Sequence, residues 1–360
     1  MNKINVALLC GGRSSEHEVS LTSASYVWEY IDKKKFDPIL ILLGKDGGWY
    51  YIQQPLELVK MRDKLIDDAS SLYKDAVLLD YTKVPRIIDI ATGGKKICKE
   101  VQVVFPILHG KYGEDGSIQG LCKLAKLPCV GSGVLSSALG MDKVVAKQVL
   151  SFHHLPVTPF VSFKKYQWIK NPKEWIDKII EELPFPLFVK PANAGSSVGI
   201  TKVYEKEKLN VAIDHAFIHD TKVLVEQGID AQELECAVLG NDSPIASVVG
   251  EIVASGDFYD YNAKYISGKS KTLIPAQIDN IMQKTIQKVA LDVYNVLDCA
   301  GFARVDFLLE KHTQQLYINE INTIPGFTAI SMYPKLMEAV GIPYQSLISK
   351  LIDLAFEEKL

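Results

Sequence analysis

The chain has 360 residues, with 40 lysines and arginines against 43 aspartates and glutamates, a net charge of -3 and a pI near 6.2. That length and a 48% hydrophobic content allow two or three domains with true cores, and the charge balance leaves no basic footprint for nucleic acid. The six cysteines form no CxxC pair and no apolar run approaches membrane-spanning length, so a cytoplasmic protein with reduced thiols and no membrane partner is expected.

From residue 5 to about 131, short apolar strands (VALLC, PILILL, VQVVF, LPCV) alternate with amphipathic helical stretches at 21–31 and 116–125. This predicts a parallel α/β sheet in a first domain, 1–131. The charged interval 53–83 reads as a surface excursion. After GSG at 131–133, a helix (MDKVVAKQVLSFHHL) leads into VTPFVSF, a helix around 175–182, PLFVK, SVGITKV, a helix ending near 219, and KVLVE, a mixed unit at 132–226. The remainder, 227–360, offers strands ECAVLG and PIASVVGEIVA, a loop at 255–275, a helix at 278–297, two strands and two closing helices.

Those two late strands break the apolar rule. In FARVDFLLE, Arg304 and Asp306 share one face while Val305, Phe307 and Leu309 take the other. In LYINEIN, Glu320 and Asn322 project together and away from Ile321. A carboxylate among core residues needs a compensating charge, which is either Arg304 or a cation. An internal salt bridge and a hard divalent ion held by two carboxylates and an amide both satisfy the pattern. Upstream, LFVKPANAGSSVG runs a strand into Lys190 and then a turn of small residues (Gly195, Ser196, Ser197, Gly199), whose amides suit a triphosphate. AKYISGKS lacks the first glycine of a P-loop, and Ser136 spoils a dinucleotide fingerprint after GSG. In FPILHGKYGEDGSIQG, His109 lies just past a strand's carboxyl end, where α/β sheets collect ligands. In CGGRSSEHEVSL, Ser20 is a candidate cap for the following helix. His215 and His219 are four apart, but Ala216 breaks the HExxH metal pattern.

Taken in order, GGRSSEHEVS, HGKYGEDGSIQG, GSG with MDK, VKPANAGSSVG, FYDYNAKY, ARVDFLL and NEINTIPGFT resemble the ATP-grasp enzymes and, within them, the D-alanine–D-alanine ligase family, over nearly the whole chain. The resemblance implies an ATP-grasp fold with ATP between two sheets. It assigns Lys143 and Lys190 to the phosphates, along with Ser197 and Lys264. Glu226, Gln227 and Ile229 form the adenine strand, Glu233 takes the ribose, and Asn319 lies on the nucleotide side. Asp306, Glu320 and Asn322 hold two magnesium ions, for which manganese substitutes. The first D-alanine's ammonium sits at Glu16, oriented through Ser196 and Tyr265. The second D-alanine's carboxylate meets Ser331 and Met332, Arg304 and the Gly326 amide face the oxyanion, and His109 positions substrate. The family chemistry is ligation of two D-alanines through a D-alanyl phosphate, with release of ADP and phosphate, for peptidoglycan precursor synthesis. A homodimer is implied, the segment 257–272 looks like a lid, and Tyr265 marks the dipeptide-forming type.

Overall fold

Strand β1 (Ile4–Gly11) is almost wholly buried, as a strand covered on both faces must be, and it pairs in parallel with β2 (Phe36–Leu43). Strand β3 (Trp49–Ile52) adds antiparallel to β2. The computed structural model describes residues 3–52, 77–80, 86–89, 96–253, 271–328 and 330–357. Strands β4 (Val77–Asp80), β5 (Arg86–Asp89) and β6 (Lys96–Glu100) form an antiparallel meander, so the tail of the expected excursion is ordered by strand pairing. Strand β7 (Val103–Pro106) returns to β1, giving the order β3–β2–β1–β7 among the described residues. LPCV, expected as a strand, contributes only the bridge from Val104 to Cys129.

The helix expected from residue 141 is Lys143–Phe152, and a further helix that the sequence did not announce precedes it. Val134–Met141 ends at Asp142, whose carboxylate accepts the Val144 and Val145 N–H groups at 3.2 and 3.1 Å and so starts Lys143–Phe152. Next come β8 (Phe160–Lys164), a short helix Lys165–Lys170 that the sequence reading did not contain, and Pro172–Glu182, with proline in its first turn. Strands β9 (Leu187–Pro191), β10 (Thr201–Val203) and β11 (Lys222–Gln227) complete an antiparallel sheet ordered β10–β9–β11–β8. Its own core includes Phe163, Trp168, Val189, Ile213 and Val225.

Strands β12 (Ala231–Leu239), β13 (Ile245–Val253), β14 (Lys271–Leu273), β15 (Phe302–Glu310) and β16 (Leu316–Asn322) form the third large sheet, ordered β14–β13–β12–β15–β16 and antiparallel throughout. β14 lies inside the stretch expected as loop. One face is covered by helix Asn280–Val296, which buries Ile286, Ala290, Val293 and Tyr294 at helical spacing. The other face packs against the N-terminal sheet through edge-on aromatics. Phe105 meets Phe302 at 6.4 Å and Phe327 at 5.9 Å, and Phe302 meets Tyr333 at 5.5 Å. Each such pair contributes about 0.5–1.5 kcal/mol beyond burial. The first and third sheets therefore share a core that the second does not enter. Among the described residues, no helix is long and apolar enough to cross a membrane.

Candidate active site

A cavity of about 450 Å³ opens where the N-terminal sheet, the 194–196 loop and the third sheet converge. Glu16 lines it, just before helix His17–Tyr30, and is only 7% exposed. Oε1 accepts the Ser196 hydroxyl, whereas Oε2 is buried with no hydrogen-bond partner among the described residues. Two glycines make room for this carboxylate. A Cβ on Gly110 would come within 2.6 Å of Oε2, and one on Gly195 would collide with the same atom. The glycine density of both motifs thus serves close approach of Glu16. Ser20 lies inside the first turn rather than capping it, and its hydroxyl accepts the Gly11 N–H at 2.8 Å, fixing the turn after β1.

His109 is buried, with Nδ1 3.0 Å from the Ile324 carbonyl and Nε2 3.1 Å from the Ser23 hydroxyl. Burial pulls its pKa down, and the charge of Glu16 only partly offsets that. The neutral ring therefore donates from Nδ1–H to Ile324 and accepts from Ser23 at Nε2. Glu114 holds the other side of the same residue, accepting the Ile324 N–H at 3.0 Å and the Gly110 N–H at 2.7 Å. Both backbone groups of Ile324 are thus clamped by side chains more than 200 residues away, which fixes the turn leading to Gly326. Ser23 and this role of Glu114 escaped the sequence reading, because nothing local announces a partner so distant.

Burial, and then the charge of Glu16, push the Glu114 carboxyl up to about 8, against the pull of its two backbone donors. A folded-state pKa above the unfolded one contributes stability that is whole below the unfolded pKa and is lost as pH rises through the folded one. Urea unfolding of the wild-type chain should therefore lose ground to Glu114→Gln between about pH 4.5 and 8, and run parallel to it above. A constant difference across that window would contradict the raised pKa.

Lys143, Lys190 and Arg304 each have a carboxylate partner. Lys143, first residue of its helix, reaches Glu320 Oε2 at 3.1 Å and the Ala194 carbonyl at 3.0 Å. Burial works against this ammonium, but Glu320 outweighs it and holds the pKa above the ordinary lysine value. Lys190, on β9, pairs with Glu226 Oε2 at 2.6 Å. Beyond it Ser196, Ser197 and Gly199 take positive φ (49°, 60° and 73°), so the loop turns through two adjacent left-handed residues and a third after Val198. Turns of this kind, built from small residues, bring backbone N–H groups close to an approaching anion.

Arg304 faces Asp306 in a two-point contact, Nε to Oδ1 at 2.6 Å and Nη2 to Oδ2 at 2.7 Å, and meets Glu235 Oε2 at 3.0 Å. Burial disfavours the guanidinium charge, yet Asp306 and Glu235 raise its pKa well above the usual value. Asn322 donates to Asp306 Oδ2 at 2.9 Å. Register explains the rank of carboxylates. Asp306 lies opposite both Glu320 and Glu235, but Phe307 lies opposite Ile318, so Asn319 is an extra residue on β16. That bulge lets Ile318 and Ile321 enter the core while Glu320 and Asn322 face the site. Glu235 was missed, although its alternation with Glu233 along β12 was readable.

The internal salt bridge is therefore present, and the hard oxygens stand on one face beside it. Among the described residues no group of three His, Cys, Asp or Glu side chains forms a ready cage. The oxygens of Asp306, Glu320 and Asn322 nevertheless fit a hard divalent ion that leaves positions for phosphate and water. Ser331 precedes helix Met332–Ala339, and its Oγ contacts Thr328 N at 3.0 Å and Thr328 Oγ1 at 2.8 Å. With Met332 it lines the cavity. Glu226 and Gln227 end β11, Ile229 follows in the turn to β12, and Glu233 lies on β12, all outside the cavity lining. Lys264 and Tyr265 lie outside the described residues, as does most of the expected lid. His215 and His219 make an edge-on ring contact at 5.4 Å.

Two family models match the chain, one described as D-ala D-ala ligase N-terminus over residues 5–132 and the other as D-ala D-ala ligase C-terminus over residues 149–353. The chain is 47% identical over 359 residues to D-alanine–D-alanine ligase B of Clostridium tetani, covering 100% of this chain and 95% of that one. Its structure is similar to the VanG D-Ala:D-Ser ligase from Enterococcus faecalis, with a TM-score of 0.86, 41% identity and coverage of 98% of this chain and 100% of that one. It is also similar to the D-alanine–D-alanine ligase from Coxiella burnetii, with a TM-score of 0.83, 34% identity and coverage of 98% and 95%.

Proposed function

Because the chain belongs to the D-alanine–D-alanine ligase family, whose fold is the ATP-grasp, we propose a division of labour among its residues. The chain joins two D-alanines at the expense of ATP, a step of peptidoglycan precursor synthesis. The observation that carries the residue assignments is Oε2 of Glu16, unpartnered among the described residues, in the same cavity as Lys143, Arg304 and Glu320. A buried carboxylate oxygen without a donor suits the ammonium of an amino acid, which then directs its own carboxylate toward the cations.

In this reading Glu16 binds the first D-alanine's ammonium, with Ser196 and Tyr265 orienting it. Lys143, Lys190, Ser197 and Lys264 hold the phosphates, and Glu226, Gln227, Ile229, Glu233 and Asn319 surround the nucleoside. Asp306, Glu320 and Asn322 would hold two magnesium ions, or manganese in their place, which would supply positive charge beside the phosphates. Arg304 and the Gly326 amide then stabilise the oxyanion as the second D-alanine, placed by Ser331 and Met332, attacks the D-alanyl phosphate. Binding amounts to an exchange of partners. Lysines leave carboxylates for phosphate, carboxylates leave lysines for metal, and ATP with two divalent ions adds no net charge. The divisions at 131 and 226, and a homodimer, belong to the same proposal.

ADP release measured with D-alanine, L-alanine, D-serine and D-lactate, with chromatography of the products, tests this. Turnover confined to D-substrates, and abolished by EDTA, is expected. Turnover indifferent to configuration would remove the reading.

A further inference from the structure

Lys147 is the most deeply buried of the described lysines near the site and lies one helical turn beyond Lys143, on the same face of Lys143–Phe152. Its side chain is 3% exposed, and so is that of its partner Glu226. The ammonium stands 2.9 Å from Glu226 Oε1, donates to Thr158 Oγ1 at 2.8 Å and reaches the Ile318 carbonyl at 3.4 Å. Two hydrogen bonds and a close ion pair thus hold the ammonium inside the core, and it is enclosed away from any ligand. Lys190 differs. It holds the other oxygen of Glu226 at 2.6 Å, and its side chain is 13% exposed, at the edge of the phosphate loop.

One buried carboxylate thus bridges two ammonium groups, one enclosed, the other at the site. When Lys190 turns to a phosphate, Glu226 loses half of its compensation. Burial alone would raise the carboxyl of Glu226, but Lys147 and Lys190 hold it at about 2, so it is ionised throughout. A buried ionised group that loses its only partner is strongly disfavoured.

We propose that Lys147 is a positioning residue for nucleotide binding, the permanent counter-ion of Glu226 that frees Lys190 to exchange this carboxylate for phosphate. The inference rests on the reading of Lys190 as a phosphate ligand. It also explains why Glu226 stays fixed at the end of β11, where the adenine strand is proposed.

The test is titration of ADP with magnesium into the full chain, together with steady-state kinetics. Lys147→Met should weaken ADP binding roughly tenfold to a hundredfold while KM for D-alanine moves less than about twofold. Glu226→Gln added to it should recover most of that loss, because a neutral partner no longer traps Lys190. ADP affinity in Lys147→Met within about twofold of wild type, or a double variant no better than the single, would overturn the proposal. If Lys147→Met does not fold, Glu226→Gln is compared with Glu226→Gln/Lys147→Met. Equal affinities support a charge role, and a further loss on removing Lys147 overturns it. Lys190→Met checks the premise separately. Undiminished ADP affinity there defeats the phosphate reading itself, whereas a loss there with none in Lys147→Met defeats only the inference.

Discussion

Replacing Glu16 with glutamine should lower kcat/KM for D-alanine by about two to three orders of magnitude while leaving ADP affinity within about twofold. The two effects separate because the proposed phosphate lysines, Lys143 and Lys190, pair with Glu320 and Glu226 rather than with Glu16. Glutamine is nearly isosteric and its carbonyl still accepts from Ser196, so the loss is one of charge. The oxygen that has no donor among the described residues, Oε2, becomes an amide that presents hydrogen to an incoming ammonium. Losing an enclosed ion pair and gaining a donor facing a donor together cost about 3–4 kcal/mol. Measured separately for the two D-alanine sites, the rise in KM belongs to the first. A variant with unchanged KM at that site, or one whose ADP affinity falls as far as its turnover, would sink the placement of the ammonium.

How much of this was legible depended on how local each cause is. The parallel sheet was readable because β1, β2 and β7 carry their burial in their own apolar runs. The charged faces of β15 and β16 were readable because a period of two needs only neighbours. The bulge at Asn319 was not, since no glycine or proline marks it and only the register against β15 reveals it. The meander of β4 to β6 hid within sequence of mixed polarity, where pairing overrode pattern. Lys147 looked like an ordinary helix lysine. Its role depends on Glu226 from β11 and on Thr158, which no spacing rule joins. Glu235 matters only because β12 lies beside β15. The chemistry-bearing residues were thus visible wherever a motif keeps them together, and the pairs that hold them were invisible wherever the fold supplies the partner.

In the proposed assignment Arg304 serves both stability and turnover, and its substitutions should pull the two apart. Arg304→Met leaves Asp306 and Glu235 without the cation between them, with Glu320 close by. Breaking one side of a buried pair costs about 3–5 kcal/mol, so a large drop in urea midpoint is expected. Turnover should fall by about two to three orders of magnitude as well, the usual cost of losing an oxyanion donor. Arg304→Lys restores the charge but not the planar fork that meets Asp306 at two points. It should therefore regain most of the stability and less than about a tenth of the turnover. Magnesium gives an independent check, since a divalent ion bound by Asp306 and Glu320 replaces the missing positive charge. Added magnesium should raise the melting temperature of Arg304→Met more than that of the wild type, whose carboxylates already have partners. If Arg304→Met keeps full turnover, or if magnesium stabilises both forms equally, then Arg304 and the metal ions do not share those carboxylates, and the partner exchange described for the site is wrong.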